Sequence, residues 1–136
     1  ATAIEPGELL TEIRFPKWRP GAAWAIDEIA RRKGDFAVVG VALSAELDGS
    51  AHIRDVAIVM FGVGGKPQRI ESAESILKGR RVDQGVLRDL GQAVAKELEP
   101  ESDIHASAEY RKEVGGVLAR RALESALARS ENRVSH

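Results

Sequence analysis

Phe36-Ala37-Val38-Val39-Gly40-Val41-Ala42-Leu43-Ser44-Ala45-Glu46-Leu47, followed by Asp48-Gly49 and then by His52 to Phe61, is the stretch that decides the fold. Val38, Val39, Val41 and Leu43 on one side of the turn, and Ile53, Val56, Ile58, Val59 and Met60 on the other, are residues that fit a pleated, half-buried surface. The Asp-Gly pair between them is a hairpin signal, so the two runs read as antiparallel strands. Upstream, Trp24 to Ile29 reads as a further strand, with Trp24, Ile26 and Glu28 on one face at period two. Glu8 to Phe15 reads as another, alternating through Leu10, Ile13 and Phe15 until Pro16 stops the pairing. Downstream, the glycines at 62, 64 and 65 and Pro67 lead into a short extended piece that ends near Ile70, and the strands are finished there.

From there the period changes to that of helices. Glu71 to Lys78 is a short helix closed by Gly79. Asp83 caps a second, whose Val86, Leu87, Leu90, Val94 and Leu98 recur at three- and four-residue spacing up to Pro100. A third begins after Ser107 and runs to about Arg129. Its expected core stripe is Tyr110, Val114, Val117, Leu118, Leu123 and Leu127, with Arg111, Lys112, Arg120 and Arg121 on a solvated face. The polar tail Ser130 to His136 is expected to fray. Strands followed by helices indicate an α+β fold: an antiparallel sheet of three to four strands from the N-terminal half packed against three helices from the C-terminal half.

The chain has 136 residues, 43% apolar and 30% charged, and its 20 basic and 21 acidic side chains leave a net charge of −1. That length suits one domain, 1–136, without repeats or a linker. The near-neutral balance argues against nucleic acid, which selects a basic face. With no cysteine there is no disulfide, thiolate nucleophile or iron–sulfur ligand of its own. No run approaches the roughly 20 apolar residues of a membrane span, and no secretory signal precedes the first strand, so the expected location is the cytoplasm. The opening Ala1-Thr2-Ala3, without methionine, reads as a fragment.

Catalytic chemistry is sparse. His52, His105 and His136 lie far apart without metal-ligand spacing and read as surface or locally bonded imidazoles; His105, between Asp103 and the Ser107 cap, is placed to lock a helix entry. Gly62-Val63-Gly64-Gly65 has the look of half a phosphate loop but does not lead directly into a helix, so it reads as a wide turn using positive φ. No serine sits in a nucleophile elbow, and no catalytic or metal residue is assigned. The densest polar cluster is Asp27-Glu28 with Arg31-Arg32-Lys33-Gly34-Asp35, between two apolar segments.

The order of these segments resembles the C-terminal domain of the FAD-carrying medium subunit of molybdenum hydroxylases, the carbon monoxide dehydrogenase and xanthine dehydrogenase family. The resemblance covers nearly the whole chain. It rests on Pro6-Gly7-Glu8-Leu9-Leu10-Thr11-Glu12-Ile13, on Ala30 to Ala42 with its Arg31-Arg32-Lys33-Gly34-Asp35-Phe36 core, on Gly62-Val63-Gly64-Gly65-Lys66-Pro67-Gln68-Arg69, and on Ser102-Asp103-Ile104-His105-Ala106-Ser107-Ala108-Glu109-Tyr110-Arg111-Lys112 with Val117 to Leu123. It implies an oxidoreductase flavoprotein subunit, not catalytic by itself, that passes electrons from a molybdenum–pterin large subunit, through an iron–sulfur small subunit, to FAD and an acceptor. The N-terminal FAD-binding subdomains that hold most of the cofactor are absent from this sequence, so FAD binding by this chain alone is expected to be weak or absent. The resemblance further implies that Asp27, Glu28, Arg31, Arg32 and Asp35 line the flavin edge. Many relatives carry an aromatic-acid-lysine run where this chain has Ile26-Asp27-Glu28. Arg31 and Arg32 would supply a field at the edge of the reduced ring, or would pair with Asp35 or Glu28 and hold the loop. The alternative function is a cofactor-free scaffold or subunit-interaction domain.

Overall fold

The computed structural model describes residues 3–19 and 21–134. Four strands, β1 (Ala23–Ala30), β2 (Ala37–Leu47), β3 (Ile53–Phe61) and β4 (Gln68–Arg69), form one antiparallel sheet in the order β1-β2-β3-β4. Helices α1 (Glu71–Leu77), α2 (Gln84–Glu97) and α3 (Ala108–Val134) follow. Helix α3 packs on β1 and β2, α1 packs on β3, and α2 bridges the two helices. The α+β architecture is the one the hydrophobic pattern predicts.

Strand alternation decides which face the helices cover. Val39, Val41, Leu43 and Ala45 of β2 and Val56, Ile58 and Met60 of β3 point into the core with Ala23 and Ala25 of β1. On β1 it is therefore the alanines that meet the helices. Trp24 and Ile26 stand on the opposite face and are 40% and 62% exposed.

Two expectations are corrected and one holds. Glu8 to Phe15 forms no strand; Leu9, Leu10, Ile13 and Phe15 are exposed, because the segment has the alternation of a strand but finds no neighbouring edge to complete its hydrogen bonds. The Asp48-Gly49 turn joins β2 to β3 as an antiparallel hairpin, as expected. Asp48 Oδ1 accepts from Ser50 N–H and His52 N–H, and Ala51 takes the positive φ of 62°. Those backbone N–H groups hold the Asp48 carboxyl below its ordinary range. On α3, Tyr110 and Val117 lie outside the core, and Arg111 is buried instead of solvated. The buried face of α3 is Leu118, Ala119, Ala122, Leu123 and Ala126, with Gly115 and Gly116 beside it. Small residues let this helix approach its neighbours closely. A Cβ at Gly116 would lie 2.5 Å from the Gly91 carbonyl oxygen of α2.

Helix α3 continues past Arg129 to Val134, and His136 lies outside the described residues. Gly79 ends α1 with φ of 76°, and Asp83 caps α2 through Val86 N–H at 2.8 Å. Among the described residues no helix is long and apolar enough to cross a membrane.

An ion pair that the sequence pattern did not show, between buried Glu74 and half-exposed Arg69, joins β4 to α1. Both carboxylate oxygens of Glu74 accept from Arg69, at 2.8 and 2.9 Å, and Oε1 also accepts from Ile58 N–H at 3.0 Å. Burial pushes the Glu74 carboxyl up, but these donors outweigh it and leave it below its ordinary range.

Candidate functional site

Three connections meet at one end of the sheet: the β1–β2 turn through Arg31 to Phe36, the glycine loop that begins at Gly62 after β3, and the segment between α2 and α3 that carries Asp103 and His105. Gly34, with φ of 85°, and the Asp35 N–H to Arg32 carbonyl bond at 3.1 Å turn the chain back from β1 to β2. Gly62 adopts φ of 72° against β2, where a Cβ would sit 2.7 Å from the Ala37 carbonyl oxygen, so only glycine fits. From there the chain enters β4 and not a helix N-terminus.

Arg111, near the start of α3, ties the connections together. Its Nη2 donates to Asp103 Oδ2 at 2.8 Å and its Nη1 to the Gly62 carbonyl at 3.2 Å, while its buried Nε has no partner. Asp103 Oδ1 accepts from His105 N–H at 2.8 Å and from Ala106 N–H at 3.0 Å. These two N–H groups, with the Arg111 guanidinium adding to them, hold the Asp103 carboxyl down at about 2. Thus it is the Asp103 side chain, assisted by Ser102 accepting from Ala108 N–H and Ser107 from Tyr110 N–H, that locks the entry to α3. The His105 imidazole is left free to reach the β1–β2 turn, where Arg31 Nη1 lies 2.7 Å from its Nδ1.

The Asp103 carboxyl gives a pH prediction. A folded value below the ordinary 3.8 means its contribution is fully present above about pH 4 and is lost as pH falls toward 2. Denaturation midpoints measured across that window should decline less steeply for Asp103→Asn than for the parent chain. Identical slopes would show that the turn does not depend on the charge.

The five residues expected at the flavin edge do not share one face. Asp27 lies on the helix side, 3.7 Å from Arg121 of α3. Glu28 is exposed on the opposite side, in line with Trp24 and Ile26. Arg31 contacts His105, and Asp35 Oδ1 accepts from Phe36 N–H at 2.9 Å. Among the described residues neither Arg31 nor Arg32 pairs with Glu28 or Asp35. Sequence reasoning missed Arg111. Its one available signal was the spacing to Asp103, eight positions away.

The sheet face away from the helices is only partly covered: Trp18 lies against it and Arg129 stands over the Trp24 ring at 5.4 Å, while Trp24 and Ile26 stay exposed. Trp18, Trp24, Ile26, Ala42, Ser44 and Val59 line a shallow cavity of about 200 Å³ there. The exposed Phe36 stands at the same end as the arginines, and the apolar side chains of the N-terminal segment are exposed as well. No group of three or more histidine, aspartate or glutamate side chains that could hold a metal occurs among the described residues.

This architecture is not isolated. Residues 24–126 match the CO dehydrogenase flavoprotein C-terminal domain. The chain belongs to that family. It is 38% identical over 132 residues to the carbon monoxide dehydrogenase medium chain of Afipia carboxidovorans, covering 96% of this chain and 45% of that one. It is 37% identical over 129 residues to the nicotine 6-hydroxylase medium subunit of Paenarthrobacter nicotinovorans, covering 95% and 44%. The solved carbon monoxide dehydrogenase of Hydrogenophaga pseudoflava superposes with a TM-score of 0.89 at 29% identity, over 95% of this chain and 45% of that one. As a member of the family, the chain spans less than half the length of the curated relatives it matches.

Proposed function

We propose that this domain is the C-terminal part of an FAD-binding medium subunit in a molybdenum-hydroxylase-type oxidoreductase, and that it closes over a flavin held mainly by N-terminal subdomains. The observation that carries the reading is the pair of exposed apolar side chains, Trp24 and Ile26, on the sheet face away from the helices, in a chain of this family, with cationic Arg31 and Arg32 in the adjoining β1–β2 turn. An exposed apolar surface of this kind marks a binding face. Its Trp24, Ile26 and Val59 side chains suit the flat side of an aromatic ring system.

The residues present fit the ring and not the whole dinucleotide. The glycine loop that begins at Gly62 leads into β4, so it supplies no helix N-terminus for a pyrophosphate. In such a subunit FAD accepts electrons from the iron–sulfur small subunit, upstream of which lies the molybdenum–pterin large subunit, and delivers them to an acceptor. The part played by this chain is electrostatic and steric. Arg31 and Arg32 stabilise negative charge near the ring, the apolar sheet face excludes water, and Glu28 lines the same face without the lysine that many relatives place there.

On this reading the 136-residue chain alone binds FAD no more tightly than about 1 μM, because closing over one edge of the ring leaves most of the association cost unmet. The protein carrying this domain together with the N-terminal half of its relatives should purify yellow, with one extractable FAD per chain. Calorimetry showing sub-micromolar affinity for the domain alone would overturn the division of labour. A full-length protein purified without flavin would overturn the function itself and leave the scaffold reading.

A further inference from the structure

We infer that His105 is the positioning residue for the Arg31 guanidinium and holds it only while its imidazole is neutral, so that the cation at the β1–β2 end of the sheet is released when His105 is protonated. The inference deepens the flavin-edge reading and rests on it for its consequence. Its structural part stands on the contact alone.

Arginine has five donors and no acceptor, so the 2.7 Å contact between Arg31 Nη1 and His105 Nδ1 requires a lone pair on Nδ1. The proton of the neutral ring is therefore on Nε2. A protonated imidazole has donors at both nitrogens and a positive charge, and it can neither accept from Arg31 nor stay beside it. Imidazole is also the side chain whose ordinary titration falls inside the physiological range.

The backbone of His105 is fixed independently of the ring. Its N–H is held by Asp103, which is held by the buried Arg111, which in turn is bonded to the Gly62 carbonyl. Protonation would thus move Arg31 and not the framework. Arg31 from the β1–β2 turn bonds the imidazole and Tyr110 from α3 lines the same cavity, while the Asp103 carboxylate of its own connection is engaged by backbone N–H groups and by Arg111. A cavity of about 300 Å³ lined by Ile29, Arg31, Val38, Ala106 and Tyr110 gives the released guanidinium room to swing.

The test uses the full-length flavoprotein and three variants. His105→Asn keeps an acceptor oxygen near the position of Nδ1 but cannot be protonated; His105→Ala removes the acceptor; Arg31→Ala removes the cation. The rate of flavin reoxidation is followed from pH ~5.5 to ~8. The parent should change by roughly 5-fold across the range, the scale of a unit charge displaced by a few ångström in a partly solvated site. His105→Asn should hold the high-pH rate throughout, and His105→Ala the low-pH rate. A pH step that survives unchanged in His105→Asn overturns the inference. If Arg31→Ala leaves the rate untouched, the flavin-edge reading fails instead. The inference then stands or falls on the tautomer of His105, read by nitrogen NMR at pH ~8: a proton on Nε2 supports it, and a proton on Nδ1 overturns it.

Discussion

Leu118→Ala should lower the unfolding free energy of the chain by about 2–5 kcal/mol, the range for truncating a fully buried leucine in a core that relaxes only in part. Leu118 has no exposed surface and sits midway along α3, where the helix packs on β1 and β2 and also on α2. The side chain belongs to the one close-packed core, whose surroundings relax only in part around a void. The lost transfer energy and the cavity term therefore both apply. Chemical denaturation of parent and variant checks it, and a difference below about 1 kcal/mol, the scale of an exposed site, would place Leu118 at the surface.

Gly116→Val should cost about 3 kcal/mol or more, at the upper end of the overpacking range. The obstacle is backbone. A Cβ at residue 116 meets the Gly91 carbonyl oxygen at 2.5 Å and its carbon at 3.2 Å, so α2 and α3 must separate along their whole crossing to admit it. A flexible side chain could swing away, but a helical carbonyl cannot. Valine also removes most of the gain in helix propensity that alanine would bring at a glycine site. Gly64→Ala is the control, since an added Cβ there meets nothing within 4 Å, and it should stay within about 0.5 kcal/mol of the parent. Equal effects at the two glycines would mean that the α2–α3 crossing is looser than described.

The two glycines also show what the sequence could and could not say. The hairpin of β2 and β3 was legible because β-branched residues at period two have few other uses, and the helix ends were legible because Gly79, Asp83 and Ser107 act on the backbone locally. The face of α3 was not. Large apolar side chains point to Tyr110 and Val117, whereas close approach to α2 selects Gly116 and the buried face is filled by Ala119, Ala122 and Ala126, whose value lies in what they lack. Glu8 to Phe15 misled in the opposite way, for alternation reports a surface suited to burial and does not say whether the partner lies within this chain. In the candidate site, the charged turn from Arg31 to Asp35 was legible as a cluster. The fate of its charges was not, because only the fold shows that Arg31 reaches His105 while Asp35 turns back to the Phe36 N–H. Arg111 was hidden since an arginine on a helix reads as solvated until the Asp103 turn and the Gly62 carbonyl are brought to it by the fold.

The central claim is that this end of the sheet acts on a flavin. Stopped-flow measurement of the two half-reactions in the full-length complex, with Arg31 and Arg32 both replaced by alanine, tests it most directly. The field of these cations falls off within about 8 Å in physiological salt, so the proposed function predicts slowed or accelerated flavin reoxidation, with reduction by substrate at the molybdenum centre nearly unchanged. Reoxidation at the parent rate, with the flavin potential also unmoved, would contradict it.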